Sequence, residues 1–249
     1  MRTCILFSLI FFSISTFGDN SERLSCRFQK LFLTVDMVAW RKVVDSLHYS
    51  KLTQQEEEVL LYGEYALIGW LIGKNRKEEA KRYTDMFEMR INKGLKNNPN
   101  SATLLAFYAV YSGFRIGITP TTVFSMANNN FSYVNKALQH RKGEPLPLVE
   151  QANSLYYRPY LLGGDKKKAL ELYQEAFDIY EKSGKCNWMF LNLGVRIAQI
   201  HTQYGQWQKA ENLYLKLLKI EPGFQWVRDE LLPDLRSGRP KNVMGDTFK

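Results

Sequence analysis

LNLGVRIAQIHTQYGQWQKAENLYLKLLKIEPGFQ, from Leu191 to Gln225, reads as two short helices folded back on each other. Ala198 is followed seven residues later by Gly205, then by Ala210, Tyr214, Leu217 and Pro222 at steps of five, four, three and five. Small Ala198 and Ala210 let two helices approach closely, and Gly205 suits a left-handed turn between them. Tyr214 fills space toward a neighbouring pair, and Pro222 cannot continue the second helix.

Working outward, the same offsets recur. In SLYYRPYLLGGDKKKALELYQEAFDIYEK (Ser154–Lys182), Gly164, Ala169, Tyr173 and Ala176 repeat the steps of five, four and three. This copy departs at Tyr157, where a small residue is expected, and at Pro159, which predicts a kink in its first helix. A weaker copy runs through Asn75, Ala80, Thr84 and Phe87. From Ala169 to Ala210 is 41 residues, so an insertion around Lys182–Asn187 lengthens that link.

These residues resemble a tetratricopeptide repeat (TPR), whose period is about 34 residues. The resemblance implies an all-α fold: a right-handed stack of antiparallel helix pairs, a TPR-like α-solenoid, closed by a capping helix over Trp226–Leu232 that Pro233 stops. The longer succession FYAVYSGFRIG, VNKAL, the Gly164 copy and PGFQWVRDELLP is similar to exported bacterial TPR proteins, including those related to the helical periplasmic component associated with TRAP transporters. It covers the C-terminal half well and the N-terminal half loosely.

The rest of the chain reads as helix. Met37, Trp40, Val44 and Leu47 have helical spacing, and Thr53-Gln54-Gln55-Glu56 is a capping box opening a helix that runs to about Gly73. Lys77–Leu95 follows, Asn97–Asn100 is a stop, and Ser101 caps a helix to about Phe114. Gly113–Ala127 is irregular, Phe131–Gln139 is helical, and Lys142–Pro147 breaks the chain again. The expected divisions are a signal peptide (1–18), an N-terminal helical region with degenerate repeats (19–147), TPR-like repeats with the cap (148–236) and a basic tail (237–249).

Arg2 followed by the apolar run Cys4–Ile14 and small residues to Gly18 reads as an export signal, too short for a permanent span. We therefore expect a periplasmic or secreted protein with no integral membrane segment after signal removal. Asp19, Glu22 and Arg23 before Cys26 argue against a lipid anchor, which sets the chain apart from a lipidated transporter component. Without the signal only Cys26 and Cys186 remain. Two buried thiols are the preferred reading, a bridge in an oxidising compartment the alternative. The net charge is +9. It is spread over the chain, with clusters at Lys166-Lys167-Lys168 and Arg236–Lys249, and reads as solvated helix faces plus a tail. No nucleic-acid motif is present.

Catalytic patterns are missing. The three histidines, His48, His140 and His201, form no metal-binding spacing, the cysteines form no CxxC pair, and no GxSxG, Walker loop or GxGxxG occurs. Gly163-Gly164-Asp165 precedes a helix as a phosphate loop would, but an aspartate at the cap repels an anion. We expect no enzyme activity, cofactor or metal. In the family the first helix of each pair lines a concave groove that binds partners. Carried over, the resemblance implies binding positions at Gln151, Ser154 and Arg158 in one copy and Asn192, Gln199 and Thr202 in the other. The expected function is a non-enzymatic scaffold holding a protein or peptide there. The alternative is a periplasmic small-molecule binding protein linked to solute uptake, with a pocket among Phe107, Tyr108, Tyr111, Phe114, Arg115 and Phe124. Packing of those aromatics as core is preferred over that pocket.

Overall fold

The computed structural model describes residues 17–184 and 186–238; all but the last two residues of the expected signal peptide and all but the first two of the basic tail lie outside them. Among the described residues the chain is all α, with eleven α-helices and no strand. They are α1 (Phe17–Leu33), α2 (Met37–His48), α3 (Gln54–Gly73), α4 (Lys77–Asn97), α5 (Ala102–Ile118), α6 (Val123–His140), α7 (Leu146–Tyr157), α8 (Lys166–Lys182), α9 (Trp188–Gln203), α10 (Trp207–Ile220) and α11 (Leu232–Arg236). None is long and apolar enough to cross a membrane.

The local signals act where the chemistry puts them. Thr53 Oγ1 accepts from Glu56 N while the Glu56 carboxylate accepts from Thr53 N at 2.8 Å, a complete capping box. Ser101, Asp165 and Asn187 cap α5, α8 and α9 through their side chains. Gly205 turns between α9 and α10 at φ +68°, and Asn75 takes the same left-handed role between α3 and α4 at φ 56°. Consecutive helices pack on one another, α3 on α4, α4 on α5, α5 on α6, α7 on α8, α8 on α9 and α9 on α10. The recurring positions Ala80, Thr84 and Phe87, Ala169, Tyr173 and Ala176, and Ala210, Tyr214 and Leu217 are all buried at those seams. Between α9 and α10 the approach is close at Gly194, where an added Cβ would stand 2.8 Å from Leu217 Cδ2.

Several boundaries differ from expectation. Helix α5 runs on through Gly113 to Ile118, and α6 begins at Val123, so most of the stretch expected to be irregular is helical. The two lie against each other along their length, and Asn130 Nδ2 donates to Ala109 O at 2.8 Å across the seam. Pro159 does not kink α7. The helix stops at Tyr157, and a short 3₁₀ turn, Tyr160–Leu162, follows. The C-terminal cap is a π-helical segment, Trp226–Leu231, continued by α11; Pro233 opens α11 rather than stopping a helix, since a first-turn position needs no N–H.

Helix α1 meets the later helices of the described chain. Cys26 and Cys186 form a disulfide (S–S 2.00 Å) across 160 residues, so the preferred reading of two free thiols is overturned. The contacts that bring the sulfurs together are tertiary. Phe32 of α1 packs on Trp188 of α9 (5.5 Å) and Phe224 (5.4 Å), Trp40 of α2 meets Trp188 edge-on at 5.3 Å, and Gln29 Nε2 donates to Glu221 Oε1 at 2.6 Å. Phe28 fills the notch left by Gly63, and the buried Trp40 indole donates to Gly63 O at 2.9 Å. Large aromatic area taken from water at one spot is the main driving force for this closure.

Candidate functional site

Helix α9 is apolar for most of its length, yet carries Asn192, Arg196 and Gln199 at steps of four and three, hence on one face. Arg196 reaches toward α7 and α8. Its Nη1 donates to Asn153 Oδ1 (3.2 Å), Tyr157 Oη (3.0 Å) and Tyr173 Oη (3.4 Å), and its guanidinium lies over the Tyr157 and Tyr173 rings at 5.9 and 5.7 Å. Tyr173 Oη donates to Asn153 Oδ1 at 2.6 Å, and Asn153 Nδ2 donates to Glu150 Oε1 at 3.0 Å. Tyr65 of α3 reaches the same carboxyl. Four helices thus converge on one polar cluster whose outer end opens to solvent at Tyr157, 55% exposed.

Burial pushes the Glu150 carboxyl up to about 7, against hydrogen bonds from Asn153 and Tyr65 and the Arg196 charge, which favour the anion. Burial opposes the charge on Arg196, but the phenol oxygens of Tyr157, Tyr173 and Tyr65 more than offset it and its pKa stands well above the ordinary value. The three oxygens that accept from Arg196 Nη1, an amide carbonyl and two phenols, are all neutral. Beside it, Gln199 (5% exposed) leaves both amide atoms without a partner, and Asn192 (6% exposed) leaves Oδ1 without one.

The six positions carried over from the family separate in the structure. Asn192 and Gln199 are buried on either side of Arg196. Thr202 is partly buried, its hydroxyl donating back to Ala198 O at 3.0 Å. On α7 the network is built by Glu150, Asn153 and Tyr157, each one residue before the expected Gln151, Ser154 and Arg158. Gln151 is partly buried beside the cluster. Ser154 accepts from Arg158 Nη2 at 2.7 Å, and Arg158, beyond the helix end, lies over Phe131 of α6 at 5.4 Å. The sequence signal that would have found the site is a single arginine inside WMFLNLGVRIAQI.

Two other features are less suited to binding. Glu64 is fully buried between α2, α3 and α4, where His48 Nε2 (2.7 Å) and Arg90 Nε (3.2 Å) bond it, and Arg90 continues to Glu57. That network is internal and satisfied, so it fixes helices. In the aromatic stretch, Phe107 and Tyr111 are buried and Tyr108 and Phe114 pack against the core, while Phe124 stands 89% exposed. A cleft of about 360 Å³ lies elsewhere, between α1, α3 and the α8–α9 link, bordered by Glu22, Glu58, Tyr62, Tyr180 and Trp188. No group of three or more His, Cys, Asp or Glu among the described residues could hold a metal.

No protein-family model, curated protein or solved structure matches the chain.

Proposed function

We propose that the chain is a non-enzymatic, exported binding protein of TPR-like solenoid architecture, which holds an acidic segment of a partner polypeptide at the α7–α9 cluster. Its likeness to exported TPR proteins, including the TRAP-associated component, rests on the recurring Ala-aromatic-aliphatic positions and the sequential pairing of helices. The single observation that carries the function is Arg196, a cation in a rigid aromatic frame whose bonds all go to neutral oxygens. A planar guanidinium so held is preorganised for a carboxylate, and little ordering is left to do on binding. The exposed Tyr157 ring beside it supplies apolar contact area.

Native mass spectrometry of the protein from its own exported fraction tests this. A co-purifying polypeptide should be present with the native chain and lost with Arg196→Met, while circular dichroism stays helical. Retention of the partner by Arg196→Met refutes the site. The 360 Å³ cleft favours a second reading, a small-molecule binding protein serving solute uptake, since its volume falls at the lower end for ligand pockets. A bound mass of a few hundred daltons in place of a polypeptide would select it.

A further inference from the structure

Between α7 and α8 the chain makes a turn, Arg158 to Asp165, that points bulky apolar side chains into water. Tyr160, Leu161 and Leu162 are 87, 93 and 70% exposed. This is a built feature. Leu162 N donates to Pro159 O (2.9 Å), Gly163 N to Tyr160 O (2.9 Å), Gly164 N to Pro159 O (3.1 Å) and Asp165 N to Leu155 O (3.1 Å). Gly163 takes φ +85°, and Gly164 is packed so closely that a Cβ there would stand 1.9 Å from Arg158 O. The backbone is pinned at every step, so the three side chains are held outward.

Cations flank the tip. Arg158 stands before it, and Lys166, Lys167 and Lys168, all exposed, open α8 behind it. Asp165, the one acid between them, is occupied in capping Lys168 N at 2.9 Å, while Lys168 Nζ also pairs with Glu171 at 3.0 Å. An apolar knob with a basic collar fits the interface of an anionic bilayer, where side chains enter the acyl boundary and lysines meet headgroups. A second copy of a +9 chain would bring the same lysines against these, so charge argues against self-association. The surface protrudes, which also suits lipid better than a protein groove.

We infer that the Tyr160–Leu162 tip and its collar dock the protein on anionic lipid surfaces. The tip follows directly on Tyr157 of the Arg196 cluster, but its docking uses other side chains and does not depend on Arg196. Sedimentation with vesicles of phosphatidylcholine alone and vesicles rich in phosphatidylglycerol tests it. The native chain should bind the anionic vesicles and release in high salt. Leu161→Ser with Leu162→Ser should weaken binding about tenfold, and Lys166, Lys167 and Lys168 all changed to Gln by roughly tenfold to a hundredfold. Equal binding to both vesicle types, no binding to the anionic ones, or unchanged binding by both variants overturns the inference. So does a concentration-dependent dimer that Leu161→Ser abolishes, which would assign the tip to a second copy.

Discussion

Removing the Cys26–Cys186 bridge should cost the protein a large share of its stability. The cross-link closes a loop of 160 residues, and in the chain-entropy account this removes about 17 cal/mol/K from the unfolded ensemble, about 5 kcal/mol at 25 °C. Domains of this kind hold only about 5–15 kcal/mol in total, so the bridge alone can decide whether the chain stays folded. Urea unfolding should be followed by circular dichroism for the oxidised chain, the reduced chain and Cys26→Ala with Cys186→Ala. The last two should agree with each other, lie well below the first, and melt about 10–20 °C lower. The denaturant slope separates two causes. An uncross-linked unfolded chain exposes more surface, so the slope should rise on reduction. A loss of stability with an unchanged slope would place the effect in native packing near Phe32 and Trp188, and coincident midpoints would refute the reasoning altogether.

Three further outcomes follow from individual groups. Because Glu150 titrates near 7 when folded and near 4.5 when unfolded, the folded state holds a proton that the unfolded state has released between those values. That stability is present below pH 4.5 and about 3 kcal/mol is lost as pH rises through 7; urea titrations at pH 5 and pH 8 should show the loss in the native chain and not in Glu150→Gln. Gln199→Leu removes two buried amide atoms that lack partners, and should raise stability by about 1–2 kcal/mol in thermal unfolding; a decrease would show that the amide is bonded in solution. Gly164→Ala drives a Cβ into Arg158 O and should cost about 3 kcal/mol, whereas Gly113→Ala, with open space around it, should be neutral or slightly stabilising by the same assay.

The helices and their buried positions were legible because close packing leaves a local trace. Ala169, Tyr173 and Ala176 had to be small, aromatic and small at helical steps to make their seam, as did Ala210, Tyr214 and Leu217, and each of those positions is buried. Capping was legible for the same reason, since Thr53 and Glu56 meet across three residues. The α7 register was not. The link from α7 to α8 runs from Arg158 to Asp165, whereas α9 reaches α10 through Tyr204–Gln206, so spacing counted back from the turn does not carry over from α9 to α7. The Arg196 cluster depends on Tyr65, Glu150 and Tyr173 arriving from three other helices. The disulfide joins residues 160 apart, and no periodicity along the chain reports which distant elements will touch.

That closure also fixes how many helices can lie between the two cysteines. In an open array another pair can be added between two existing ones, with changes confined to its neighbours. Here α1 is bonded to the segment ahead of α9, and Trp188 is gripped by Phe32, Trp40 and Tyr65 from the other end of the chain. Inserting one more pair between α6 and α7 would carry Cys186 away from Cys26 by the thickness of a helix layer, about 10 Å, well beyond the reach of a disulfide. The number of helices between Cys26 and Cys186 is therefore set by the need to bring the two cysteines together, and an insertion that an open array tolerates would here have to break the covalent ring.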